Sequence, residues 1–183
     1  ANRFLVHEKV ADEFTRMFAA AMADVRIGSG FDDGVTCGPM INAKAVASIN
    51  ELVTAAADHG ARIETGGGPV DGPGHFYPPT VLGNVRAGDA STRHEIVGPV
   101  APIISFDDTD EMIDVANDTE MGLTAYVFTQ DLGRGWAVSE RIQAGMIGLN
   151  RGAVSDPAAP FGGMKQSGIG REECLGELLA FTQ

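Results

Sequence analysis

Two thiols, Cys37 and Cys174, are the residues most able to act as nucleophiles in this 183-residue chain. Cys37 sits in "GVTCGPM", a glycine-rich turn of the kind that can expose a sulfur. A nucleophilic cysteine works as its thiolate, so it needs a neighbouring base or an environment that lowers its pKa. No histidine lies near Cys37 in sequence, so it reads as an ordinary thiol, with a partner from distant sequence left open. Cys174 falls in an apolar helical pattern and reads as packing. His94 and Glu95 are adjacent and offer an acid–base pair; their spacing alone fits two solvated side chains better. The same stretch, "HEIVGPV", places Gly98 where a helical zinc protease needs its second histidine, and no other part of the chain has metal-ligand spacing.

"APFGGMKQSGIGRE" (159–172) invites a phosphate-cradle reading. After Gly163 the next glycine of a P-loop would be Gly168, but Ile169 then stands where lysine is required. A dinucleotide fingerprint begun at Gly168 would need glycine at 173, and Glu173 is there. Spacing therefore supports a tight loop feeding a helix, its glycines letting the backbone pass close to something.

The elements that position these residues follow from periodicity. The chain opens without Met, on a strand-like "RFLVH" that runs at once into a helix, and so reads as cut from something longer. Val10, Phe14, Met17, Phe18, Ala21, Met22 and Val25 recur at helical spacing, with Asp12 and Glu13 expected in the first turn. A second helix is expected from an Asn42 N-cap, with Val46, Ile49, Val53 and Ala56 on its apolar face and Gly60 as a left-handed stop. Strands are expected at 62–65, 80–85, 100–106, 123–129 and 146–150. Helices are expected around 112–116, at 132–142 and from about Arg171. Alternating strands and helices predict an α/β fold with a largely parallel sheet flanked by helices.

Composition sets further bounds. Hydrophobic content of 44% and charged content of 21% suit a globular domain. The formal net charge of −12 argues against nucleic acid and against anionic membrane as partners, since both need a basic face. Two cysteines are too few for a disulfide scaffold and fit free thiols in a reducing, cytoplasmic setting.

Four stretches in order carry a family resemblance: "GPMINAKAV" (38–46), "GHFYPPTVL" (74–82), "EIVGPVAPI" (95–103) and "PFGGMKQSGIGRE" (160–172), with "ANDTEMGLTAYVFTQD" (116–131) between the last two. From end to end the chain resembles the C-terminal, catalytic-domain half of aldehyde dehydrogenases. The resemblance implies that residues 1–183 form that catalytic domain cut at both ends. The nucleophilic Cys would lie just before Ala1, and the general-base Glu and the cofactor domain further upstream. In the intact parent it implies an NAD(P)-dependent oxidation: a thiolate attacks the aldehyde, hydride leaves for the nicotinamide, and a carboxylate-activated water releases the acid. The chain alone is expected to be inactive and to bind no cofactor. A homo-oligomeric parent is implied, and the chain's partners would be a small aldehyde and its own missing N-terminal half.

What the resemblance assigns within the chain is one wall of a site. Glu95 matches the carboxylate that holds the nicotinamide ribose hydroxyls. Val97 stands where many members carry a Phe that packs near that ribose. Phe161 matches an aromatic of the substrate tunnel, beside Gly162 and Gly163. "GLNRGAVSDPAAPFGGMKQSGIGRE" is most similar to the succinate-semialdehyde dehydrogenase group, in which a Ser five residues before the Pro-Phe-Gly-Gly proline meets the substrate's carboxylate end; Ser155 holds that position, and Arg151 could add positive charge. Two other readings stand beside this one: a parent acting on another ω-carboxylated aldehyde such as glutarate semialdehyde, and a non-catalytic module that associates with itself.

Overall fold

A computed structural model describes residues 1–182; Gln183, the last residue of the expected domain, lies outside them. The chain divides into two compact units, Ala1–Asp108 and Thr109–Gln183.

The first unit contains β1 (Phe4–His7), α1 (Glu8–Ala23), α2 (Ala43–Asp58), β2 (Arg62–Thr65), β3 (Thr80–Gly83), the single turn α3 (Ala90–Arg93) and β4 (Val100–Phe106). Its four strands lie in the order β1-β4-β3-β2. β4 runs parallel to both β1 and β3, in register Phe4↔Ile103 and Thr80↔Val100, and β2 pairs antiparallel with β3 at the far edge. β3 and the first five residues of β4 are mostly apolar and buried on both faces, as parallel strands between covering layers must be. Val81, Ala101 and Ile103 form a core against which Phe4, Val6, Phe14, Phe18, Ala19 and Met22 pack. Phe4 and Phe18 lie 5.0 Å apart between ring centroids, and Phe14 and Phe18 5.5 Å, so β1 and α1 meet through aromatic pairs in tilted geometry.

α1 corrects part of the sequence reading. It starts at Glu8, which puts Glu8 in the first turn and Asp12 and Glu13 beyond it. Its N-cap is His7, whose Nδ1 accepts from the Lys9 N–H at 3.2 Å. The face toward the sheet is Ala11, Phe14, Thr15, Phe18, Ala19 and Met22; Val10, Met17 and Ala21, expected on it, are exposed, and Val25 lies past the helix end. α2 follows expectation: Asn42 accepts from the Ala45 N–H at 2.9 Å, Ile49, Val53 and Ala56 are buried, and Gly60 takes φ +99° just past the end.

The second unit contains α4 (Thr109–Asn117), β5 (Met121–Gly122), β6 (Thr124–Val127), α5 (Leu132–Ser139), β7 (Met146–Leu149), β8 (Met164–Lys165) and α6 (Cys174–Ala180). β6 and β7 are parallel, and β5 and β8 are antiparallel. Gly135 lets α5 approach β7: a Cβ there would lie 2.8 Å from Leu149 Cδ1.

Several elements end sooner than their apolar runs suggest. Asn84 and Asn150 take φ +55° and +54°, a left-handed conformation Asn tolerates, and so close β3 and β7. Asn150 also fastens its turn at both ends of its carboxamide, accepting from the Thr129 N–H at 2.9 Å and donating to the Thr129 carbonyl at 2.8 Å. The last helix begins at Cys174, not at Arg171, because Glu172 is bridged to Phe161 and Glu173 and Cys174 both have positive φ. The sheet pairings are largely parallel with helices around them, as expected.

Candidate functional site

In the first unit Glu95 and Val97 lie in 94–99, a stretch without helix or strand that leads from α3 into β4. Its ends are held by backbone bonds: the His94 N–H donates to the Ala90 carbonyl at 3.1 Å, and the Thr80 N–H donates to the Pro99 carbonyl at 2.7 Å. Gly98 allows close packing, since a Cβ there would stand 3.0 Å from Ile49 Cδ1 and 3.1 Å from Met40 Cε. Glu95 is exposed, and among the described residues its carboxylate has no hydrogen bond or ion pair. Both oxygens are therefore available to accept from hydroxyl donors, which is the requirement for gripping a vicinal diol. Val97 is 70% exposed, an apolar surface beside that carboxylate in sequence. His94 is exposed too, and the pair shows no acid–base geometry.

In the second unit Arg151, Ser155 and Phe161 lie on the long connection from β7 to β8. Phe161 is fixed by a two-bond bridge to Glu172: each residue's N–H donates to the other's carbonyl, at 2.8 and 2.7 Å. Gly162 and Gly163 are buried, and the backbone there is crowded. A Cβ on Gly162 would lie 2.4 Å from the Gly170 carbonyl oxygen, and one on Gly163 would lie 2.6 Å from Ser167 Cβ. A Cβ on Gly145 would come within 2.0 Å of the Gly162 oxygen. No side chain fits at these contacts, so the glycines serve close backbone packing and not an anion cradle.

Sequence reasoning missed two residues that hold this segment. Arg171 donates from one guanidinium nitrogen to the Gly163 and Gly170 carbonyls, both at 2.8 Å, and so ties the two ends of "GMKQSGIG" together. Ser167 Oγ accepts from the Gly122 N–H at 3.0 Å. The Gly-x-Gly-Arg pattern was a visible hint for Arg171, since an arginine ending a glycine-rich loop can satisfy carbonyls that lack other partners. Nothing local in the sequence marked Ser167.

Ser155 is exposed, and its hydroxyl donates to Glu173 Oε1 at 3.2 Å. The Glu173 backbone N–H in turn donates to Glu177 Oε2 at 2.9 Å, while Glu173 Oε2 is buried with no hydrogen-bond partner among the described residues. Arg151 is exposed, with no ion pair among the described residues.

Among the described residues, neither cysteine is hydrogen-bonded to a basic side chain. Cys37 is half-buried in a turn whose backbone bridges to Ile27, and its thiol donates weakly to the Gly38 carbonyl at 3.7 Å. Cys174 opens α6, where its sulfur accepts from the Gly176 N–H at 3.3 Å. Among the described residues no group of three or more His, Cys, Asp or Glu could hold a metal ion, and no helix is long and apolar enough to cross a membrane.

The whole sequence, residues 1–183, matches the model of the aldehyde dehydrogenase family. The chain is 54% identical over 172 residues to a succinate-semialdehyde dehydrogenase of Paenarthrobacter nicotinovorans, covering 94% of this chain and 38% of that protein. It is 44% identical over 172 residues to a glutarate-semialdehyde dehydrogenase of Pseudomonas aeruginosa, covering 94% of this chain and 36% of that one. Among solved structures, the NAD+ complex of a Bacillus cereus aldehyde dehydrogenase superposes with a TM-score of 0.89 at 33% identity, over 95% of this chain and 35% of that one. The chain thus spans little more than a third of the length of these relatives. With a family match from the first residue to the last, and folded likeness at this level, the chain belongs to the aldehyde dehydrogenase family.

Proposed function

We propose that this chain supplies part of the active site of an NAD- or NADP-dependent aldehyde dehydrogenase whose substrate is succinate semialdehyde. In that reading, residues 1–183 are a catalytic-domain portion, and the nucleophile and general base are contributed from outside them. The surroundings of Cys37 and Cys174 support this, since among the described residues neither thiol is hydrogen-bonded to a base. The chain by itself then oxidises no aldehyde.

A bound nicotinamide dinucleotide would supply the hydride acceptor. The residues present fit such a group: Glu95 offers a solvent-facing carboxylate with both oxygens open, suited to two ribose hydroxyls, and Val97 offers apolar surface next to it. Val97 is smaller than an aromatic, so it would cover less of the ribose. Phe161, pinned by its bridge to Glu172, would line the aldehyde's path and exclude water. Ser155 would donate to the substrate's distal carboxylate, with Arg151 adding positive charge from the same connection.

The observation that carries the substrate reading is Ser155 itself: an exposed hydroxyl already engaged with a carboxylate, at 3.2 Å. The geometry a substrate carboxylate needs is the one the side chain now offers to Glu173. A hydrogen bond to a charged group contributes roughly 1.5–3 kcal/mol, and here the lower end applies because Ser155 gives up one such bond to make another. The test uses a chimera in which this chain replaces the matching segment of the Paenarthrobacter relative. Ser155→Ala should lower kcat/KM for succinate semialdehyde roughly tenfold and leave a neutral aldehyde of similar length unchanged. Equal losses for both would reduce Ser155 to loop support. The similarity to glutarate-semialdehyde dehydrogenase favours one second reading, a substrate longer by one methylene. The ratio of kcat/KM for the two semialdehydes separates them. A homo-oligomeric, cytoplasmic parent belongs to the same proposal, and two free cysteines among the described residues accord with a reducing compartment.

A further inference from the structure

We propose that Asn2 is a positioning residue for Glu95: its carboxamide clamps the backbone on both sides of that residue and so sets where the carboxylate stands. Asn2 Nδ2 donates to the His94 carbonyl at 3.0 Å, and the Ile96 N–H donates to Asn2 Oδ1 at 2.9 Å. One donor and one acceptor of a single side chain thus bracket Glu95, which itself contributes nothing to the clamp. The inference rests on the reading of Glu95 as the ribose-binding carboxylate.

The clamp matters because of what else holds this stretch. The backbone bonds of 94–99 lie near its ends, at His94 and at Gly98 and Pro99. Between them, among the described residues, the Ile96 N–H is anchored to Asn2 alone. Without that anchor a non-helical, non-strand segment is free to rotate its peptide planes, and an exposed Glu at its centre loses any fixed direction. A carboxylate that must meet two hydroxyls at once gains from being held before the ligand arrives, because the ordering cost is then already met.

The clamp stands on a rigid base. Asn2 lies two residues before β1, and β1 runs parallel to β4, the strand that 94–99 leads into, with Phe4 opposite Ile103. Asn2 is therefore carried by the strand next to the one its clamped segment enters. Asn117 works the same way in the other unit, donating to the Arg141 carbonyl at 2.9 Å and accepting from the Gln143 N–H at 2.8 Å. That pair fastens a helix end to a turn. Asn2 applies the same chemistry around a residue whose own carboxylate is left open.

The experiment uses the chimera described above, with whichever of NAD+ and NADP+ it binds more tightly. Five proteins are compared: parent, Asn2→Ala, Asn2→Asp, Glu95→Ala and the Asn2→Ala/Glu95→Ala double variant. Amide hydrogen exchange at Ile96 reports the clamp, titration gives the dinucleotide Kd, and steady-state kinetics at saturating dinucleotide give the aldehyde KM. Asn2→Ala should speed Ile96 exchange at least tenfold and raise the dinucleotide Kd roughly three- to thirtyfold, with the aldehyde KM unchanged. Asn2→Asp, which keeps the acceptor for Ile96 and loses the donor, should fall between parent and Asn2→Ala. The double variant should bind no more weakly than Glu95→Ala, since Asn2 acts through Glu95. Additive losses, or unchanged Ile96 exchange in Asn2→Ala, would overturn the inference while leaving the reading of Glu95 intact. If Glu95→Ala itself binds dinucleotide as the parent does, the reading of Glu95 fails, and the clamp is reduced to a loop fastening. Should Asn2→Ala fail to fold, Asn2→Ser, too short to span both partners, gives the same comparisons.

Discussion

Glu173→Gln in the chimera should improve the enzyme for carboxylated aldehydes. A serine hydroxyl has one proton to donate, and Ser155 gives it to Glu173 at 3.2 Å. A substrate carboxylate seated at Ser155 must take that proton and then lie beside a second carboxylate. Two anions on opposite sides of one hydroxyl stand about 5 Å apart, which costs about 0.8 kcal/mol at the dielectric of water and about 3 kcal/mol at an effective dielectric near 20. Ser155 is exposed and Glu173 half-buried, so the middle of that range applies, about 1–2 kcal/mol. Removing the charge while keeping the side chain's shape should raise kcat/KM for succinate semialdehyde roughly five- to thirtyfold. Gln also keeps the backbone at φ +59° under the same steric demand, so no new strain enters. A neutral aldehyde of equal length should respond by less than about twofold, since it brings no second anion to the site. The effect should shrink in high salt, which screens an exposed pair of anions. A fall in kcat/KM specific to the carboxylated substrate, or no difference between the two aldehydes, would refute the reasoning and move the carboxylate subsite away from Ser155.

Tyr77 is 1% exposed, its hydroxyl donates to Asn50 Oδ1 at 3.4 Å, and burial pushes its pKa up to about 12 from the usual tyrosine value near 10. The phenol is neutral in both folded and unfolded chains below about pH 10, so its stabilisation is fully present there and is lost as pH rises from about 10 toward 12. The loss amounts to about 3 kcal/mol by about pH 12, and denaturant midpoints of Tyr77→Phe should decline less steeply than those of the parent over that window. Gly145→Ala should lower the unfolding midpoint of the second unit by roughly 10 °C or more, because its Cβ would meet the backbone oxygen of Gly162, which has no side-chain freedom with which to yield. Cys37→Ser in the chimera should leave turnover within about twofold of the parent, since among the described residues that thiol is hydrogen-bonded to a backbone carbonyl and to no base; a collapse of activity in a folded protein would make Cys37 the nucleophile.

The legible part of this chain was the part built on repeating geometry. Val46, Ile49, Val53 and Ala56 announce a helix because apolar residues three and four apart share one face of a helix and alternate faces on a strand, and Asn42 and Gly60 mark its ends by chemistry that is local to each residue. The runs at 80–85 and 100–106 read as strands, and strands stand at 80–83 and 100–106. Boundaries failed where a single residue overrides a run. Asn84 and Asn150 look like ordinary strand-end residues in sequence, yet their positive φ fixes the last ladder position. The facing residues of α1 are ambiguous in sequence, because Val10 and Met17 fit the helical period as well as Ala11 and Thr15 do, and only packing against the sheet decides which stripe is covered.

The candidate site was legible through family likeness and hardly at all through spacing, and the reason is physical. Glu95, Ser155 and Phe161 all lie outside regular elements, where no period marks a side chain's direction. What orients them is non-local: Glu172 across from Phe161, Arg171 on the carbonyls of 163 and 170, Glu173 beneath Ser155, Asn2 on either side of Glu95. Each of these supports is a polar side chain or backbone group that satisfies partners far from it in the chain or across a tight loop. A hydrogen bond of that kind has no sequence period, because its two ends are brought together by the tertiary fold and not by spacing along the chain. Asn2 makes the point most directly, since its partners are 92 and 94 residues away. Substituting it changes no hydrophobic pattern and no strand, yet it should leave Glu95 without a direction. That is why its Ile96 exchange and dinucleotide affinity, and not overall stability, are the quantities that should move.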